Sequence, residues 1–177
     1  MLAFAPMLVA SLALAEPPAP DLPALATGRF VLAEPAAVYN PRLDAAVEEA
    51  IASLNFLIRP LAGLRLRPAV YETVCPDLRL TLDAQVFTVQ CADGQPETRH
   101  LDGRDWTHMD DGDLYRVRIV REGRSIAVSS TGERGGQANT YAFTPDGCLS
   151  LQGSIFSESL PAPLRWTLPY RRVPAGP

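Results

Sequence analysis

From residue 77 to residue 172, apolar side chains recur at every second position. The runs are cut at short intervals by an acidic residue followed by glycine. Period-two alternation marks strands with one face buried. Asp-Gly is a preferred hairpin turn, because both positions tolerate positive φ. The steps are Asp93-Gly94, Asp102-Gly103, Asp111-Gly112, Glu122-Gly123 and Asp146-Gly147, at intervals of 9, 9, 11 and 24 residues, with "TGERGGQ" (131–137) dividing the last. Turns about ten residues apart mean consecutive antiparallel strands.

The alternating runs begin with "LRLTL" (78–82) and "QVFTV" (85–89). A two-residue turn at Asp83-Ala84 predicts Leu80 beside Phe87 and Leu78 beside Val89. Further runs follow at Tyr115/Val117/Ile119, Ile126/Val128, Tyr141/Phe143, Leu149/Leu151/Ile155 and Leu164/Trp166/Leu168/Tyr170. With a short strand at "GRFVL" (28–32), the expectation is a mainly β (α+β) fold. It is a curved antiparallel β-meander or barrel of about 8–10 strands with one N-terminal amphipathic helix.

That helix is predicted over about 41–59. Leu43, Ala46, Val47, Ala50, Ile51, Leu54, Leu57, Ile58 and Leu61 recur at three- and four-residue steps. Asn40 is placed to cap it, Pro41 suits the first helical position, and Pro60 is read as the stop. Asp44, Glu48 and Glu49 make its polar face acidic, which an anionic lipid surface would repel. The stripe is therefore expected to pack on the domain's own sheet.

Residues 1–15, "MLAFAPMLVASLALA", carry no charge, and Ala13-Leu14-Ala15 places small residues before Glu16. This matches the apolar core and cleavage end of a secretory signal peptide and is too short to span a bilayer. The alternative is a buried N-terminal helix. No cysteine stands at the cleavage point, so no lipid anchor is expected. Residues 16–27, "EPPAPDLPALAT", read as an extended Pro-rich leader, 28–172 as a single domain and 173–177 as a tail. All sixteen basic residues other than histidine are arginine, a coding bias consistent with a bacterial source. The protein is expected to be exported, periplasmic or secreted, and free of stable membrane insertion.

Export gives the cysteines meaning, since disulfides persist in oxidising compartments. Cys75 and Cys91 are the disulfide candidate, and Cys148 is left over. In an ideal ladder with the turn at Asp83-Ala84, Cys75 falls one position from Cys91's partner, on the opposite face. A bridge thus requires the strand to bend at Pro76. If formed, it closes a loop of about sixteen residues and adds about 3 kcal/mol.

The chain carries few signals for catalysis. "WTHMDDGDLY" (106–115) gathers Asp110, Asp111, Asp113 and His108, but counting twelve from Asp110 reaches Arg121, not the glutamate that a calcium loop needs. The stretch reads better as a hairpin turn. His100 and His108 are spaced to sit on neighbouring strands, yet they lack a third metal ligand. No nucleophile elbow or phosphate loop is present. No catalytic residue, metal or cofactor is expected. A net charge of −4 with a pI near 5.2 argues against nucleic acid.

The apolar leader, the early helix and a meander ending in "LPAPLRWTLPYRR" together resemble exported proteins of Gram-negative bacteria. In outline the chain is also similar to the lipocalin-like (calycin) barrels, whose Gly-x-Trp opening has a counterpart in Gly28-Arg29-Phe30. It likewise resembles the half-barrel lipoprotein carriers of the periplasm, which place a helix before a curved sheet. These resemblances imply an apolar cavity for a small hydrophobic ligand. Phe87, Tyr141, Phe143, Trp166 and Tyr170 are the candidate lining residues; the alternative is that they are core packed under the helix. The expected function is a non-enzymatic binder or carrier. The alternatives are a structural or interaction module with an envelope protein partner, and a metal-assisted enzyme.

Overall fold

The computed structural model describes residues 21–92, 94–110 and 112–174. The signal-peptide reading of 1–15, the first part of the leader and the last residues of the tail lie outside them.

Ten strands among the described residues form one antiparallel sheet. In chain order they are β1 (Gly28–Leu32), β2 (Asp77–Leu82), β3 (Val86–Cys91), β4 (Glu97–His100), β5 (Trp106–Asp110), β6 (Asp113–Glu122), β7 (Ser125–Thr131), β8 (Gly135–Phe143), β9 (Leu149–Ser157) and β10 (Leu164–Val173). The spatial order is β4-β3-β2-β1-β10-β9-β8-β7-β6-β5. Strand β1 joins the two halves by pairing with both β2 and β10. The sheet curls until its two edges, β4 and β5, face one cavity. Inward positions are apolar where the sequence alternates: Leu78, Leu80 and Leu82 on β2, and Leu164, Trp166, Leu168 and Tyr170 on β10.

The Asp-Gly steps differ in what they do. Asp111 lies outside the described residues, but Asp110 pairs with Asp113 across a hairpin in which Gly112 takes φ 85°. At 122–125 the central pair is Gly123-Arg124, and Asp146-Gly147 lies in a five-residue loop between paired Phe143 and Leu149. Asp102-Gly103 makes no hairpin at all, because it links the two opposite edges of the sheet. The first hairpin is also shifted by two residues from expectation. Leu80 faces Val89, Leu78 faces Cys91, and Leu82 faces Phe87. Asp83 moves the turn to Ala84-Gln85, its carboxylate accepting the amides of Gln85 and Val86 at 2.8 and 2.7 Å.

Three helices among the described residues replace the single one expected. The five-residue α1 (Leu22–Ala26) lies within the stretch read as an extended leader, yet Leu22, Leu25 and Ala26 are buried. It sits against β2 and β8 and is held by Arg172, which donates to the carbonyls of Ala24 and Thr27.

The predicted 41–59 helix is α2 (Ala36–Ile51), which begins at Pro35 with Pro41 inside it. Its buried face is Leu43, Val47, Ala50 and Ile51. Asn55 then breaks the run. Its side chain caps the amide of Leu57 at 3.0 Å, and its carbonyl accepts from Ile58 and Arg59. Pro60 opens α3 (Arg59–Glu72) instead of stopping a helix, since the first turn needs no proline amide. Consequently Leu57, Ile58 and Leu61 face solvent rather than extending the buried stripe. Helix α3 packs on α2, and both cover the end of the sheet where β1 stops and β2 starts.

Cys75 and Cys91 are joined, with Cα atoms 5.4 Å apart. The position of Cys75 outside the ladder explains why. Cys91 shares the inward face of Leu78, while Cys75 precedes the strand across Pro76 and is free of the ladder's alternation. Ala92, at φ 41°, donates to Asp77 O at 2.7 Å and turns the chain out past the bridge. The Tyr170 hydroxyl donates to Cys75 O at 2.9 Å, tying the last strand to the same junction.

Candidate ligand cavity

Between the packed interior and α3 lies a cavity of about 1140 Å³. Its volume is slightly above the roughly 300–1,000 Å³ of small-molecule sites. It opens at the end bearing the β3–β4, β5–β6 and β7–β8 turns, while α1 occupies the other end. Ala69, Glu72 and Thr73 of α3 and the Cys75–Cys91 bridge form part of its rim.

The walls follow from strand register. Along β8 the inward residues run Gln137, Asn139, Tyr141, Phe143, passing from polar at the rim to apolar below. Their inward neighbours on β7 are Ser130, Val128 and Ile126. Facing them, Glu97 and Arg99 on β4 share the inward face of Val89 and Phe87 and form an ion pair. On the third side, Trp106 and His108 of β5 pair with Val117 and Tyr115. At the rim Arg134 lies 3.6 Å from Asp113. The Gly135-Gly136 pair lets β8 start tight against neighbouring backbone, because a Cβ on Gly136 would strike the Ser130 carbonyl.

Of the five aromatics expected to line a pocket, Tyr141 alone lines this cavity. Phe87 meets Tyr141 edge-on at 5.2 Å, and Phe143 packs against Phe30 at 6.0 Å. Phe87, Phe143 and Tyr170 are interior packing, the alternative that their pattern allowed. Trp166 is buried across Gly153, with Nε1 unpartnered, beside a smaller crevice of about 210 Å³ under α2.

Tyr141 is only 7% exposed and has no hydrogen-bond partner among the described residues. Burial pushes its phenol up to about 12, with Arg99 lowering and Glu97 raising it.

His100 and His108 do not come together. His100 pairs with Val86 on the outward face of one sheet edge, while His108 lines the cavity from the other. Among the described residues, no three His, Cys, Asp or Glu side chains cluster as a metal site would require. Sequence reading passed over Glu97, Arg99, Gln137 and Asn139. The β4 stretch "ETRH" is too short and polar to show alternation, and the polar inward residues of β8 interrupt the apolar period that reveals a face.

No family model and no curated protein matches the chain. Solved structures do. A REP1-NXSQ fatty acid transporter superposes with TM-score 0.50 at 11% identity, over 85% of this chain and 97% of that one. The likeness shows the fold, a curled and mainly β antiparallel sheet. Lipid binding protein 8 of Caenorhabditis elegans gives TM-score 0.47 at 12% identity, over 85% of this chain and 96% of that one. Human cRBP IV gives 0.45 at 14% identity, over 83% and 97%.

Proposed function

We propose that this protein binds and carries a small hydrophobic or amphipathic ligand in the cavity beneath α3. The observation carrying this is the cavity itself, about 1140 Å³ and walled by the inward faces of β2 to β9. A fold neighbour named as a fatty acid transporter supports the reading. Apolar walls such as Leu78, Val89, Val117 and Ile155 supply the burial that drives such binding.

The test is native mass spectrometry of the purified chain, followed by uptake of a fluorescent fatty acid or fatty alcohol. An extra mass lost on delipidation, together with saturable uptake, is the expected result. A bare protein mass with no uptake of either probe would overturn it.

We also propose that the chain acts outside the cytoplasm after losing residues 1–15. Export supplies the oxidising setting that the Cys75–Cys91 bridge suits. Mass spectrometry of the secreted or periplasmic protein should find Glu16 at its N-terminus; a cytoplasmic chain retaining Met1 contradicts this.

A second reading, an interaction module of the envelope, draws on a different surface. Phe56, Leu57, Ile58, Leu61 and Leu64 lie 54–75% exposed at the α2–α3 turn. Replacing Leu57 and Leu61 with serine should then abolish association with envelope fractions while ligand uptake persists. Unchanged association counts against it.

A further inference from the structure

The charges and unspent hydrogen-bonding groups of the cavity select among hydrophobic ligands. The cavity wall holds four acids, Glu72, Glu97, Asp113 and Glu133, against two arginines, Arg99 and Arg134. Both arginines are already matched, Arg99 by Glu97 and Arg134 by Asp113. Glu72 and Glu133 form no ion pair among the described residues. Arg172 and Arg121 also take inward positions, but Arg172 lies over Phe30 and is engaged by the carbonyls of Ala24 and Thr27, and Arg121 pairs with Asp21. Apart from the imidazole of His108, the wall therefore offers no unpaired basic side chain among the described residues. An ionised carboxylate brought there would lose its hydration and meet a net negative surface.

The neutral groups point the other way. The Tyr141 side chain is buried, its hydroxyl borders the cavity, and that hydroxyl has no hydrogen-bond partner among the described residues. A phenol at a cavity wall offers a donor that a ligand oxygen can take up. Asn139 and Ser130 line the same wall, two strand positions apart in register, and enter no side-chain hydrogen bond among the described residues. Phe87 holds the Tyr141 ring edge-on, so the donor stands in a fixed place. A ligand oxygen there could accept from Tyr141 and Asn139 without any counter-ion.

We propose that the ligand is a hydrophobe with an uncharged oxygen-bearing head, an alcohol, carbonyl or ester, held by Tyr141 and Asn139, and that the cavity discriminates against the corresponding free acid. This rests on the carrier reading above and narrows it.

The experiment displaces a fluorescent hydrophobic probe from the delipidated protein, using chain-matched medium-chain alcohol, methyl ester and acid at about pH 8, where the acid is ionised. The alcohol and ester are expected to bind at least roughly tenfold tighter than the acid. Tyr141→Phe should weaken the alcohol about fivefold and leave the acid unchanged. Glu97→Gln, which frees Arg99, should strengthen the acid several-fold and so narrow the alcohol's advantage over it. An acid that binds as tightly as the alcohol to the native protein overturns the proposal. So does a folded Tyr141→Phe protein with native affinity for the alcohol. If the probe itself does not bind, the carrier reading falls and this one with it, which separates the two failures.

Discussion

Gly153 shows how one residue sets local packing. It faces Trp166 across β9 and β10, and any Cβ there would overlap the indole. Gly153→Ala should destabilise the fold by about 1–3 kcal/mol, read as a lower urea midpoint with an unchanged slope. The alternation placed Trp166 inward, but nothing in the sequence marked Gly153 as the space it needs. Tyr141 has a different signature. Its phenol titrates near 12 in the fold and near 10.0 when free. A raised folded value means the contribution to stability is complete below pH 10.0 and is lost as pH rises through about 12. Native protein should thus lose stability over that alkaline window more steeply than Tyr141→Phe, measured by urea unfolding at stepped pH. Equal slopes would show that the phenol is not buried as described.

Among the elements, the short helix α1 and the disulfide do more than the sequence suggested. Five residues are too few to show helical periodicity, so 22–26 read as part of a Pro-rich leader. Only the barrel end supplies the surface that buries Leu22 and Leu25. Leu25→Ala should cost about 2–5 kcal/mol, measured by thermal or urea unfolding; a loss below 0.5 kcal/mol would mean that α1 is not docked. The bridge joins residues sixteen apart in sequence. Replacing both cysteines with serine should cost about 3 kcal/mol and raise the midpoint again in no reducing condition. A variant as stable as the native protein would contradict the bridge. The α2 stripe was legible through Ile51, because its spacing is local. The break at Asn55 was not, since it depends on one side-chain cap competing with a continuing helix.

At the scale of the whole molecule, the sheet is a ribbon bent until its ends meet around a cavity without pairing. Strands β4 and β5 are neighbours in sequence but hold opposite edges, leaving one side of each without a strand partner. Amide exchange should accordingly be fastest at 97–100 and 106–110 and slowest along β8, β9 and β10. Protection at those edges equal to the centre would mean that the seam is closed. Saturating ligand should raise the melting temperature with concentration, as binding to the folded state alone requires.

Taken alone, the sequence determined that this protein is a mainly β, curved antiparallel meander or barrel. Alternation at Leu78, Leu80 and Leu82, or at Leu164, Trp166, Leu168 and Tyr170, follows from one strand and its buried face, and the glycine turns from positive φ; both are local. The tertiary structure alone decided which strands sit at the edges, that Cys91 turns toward Cys75, and that Arg99 and Tyr141 border one cavity. Those outcomes depend on register and curvature summed over ten strands. A shift of two residues at Asp83 is invisible in the hydrophobic pattern, because it preserves which face every side chain takes, yet it moves each of them along the wall.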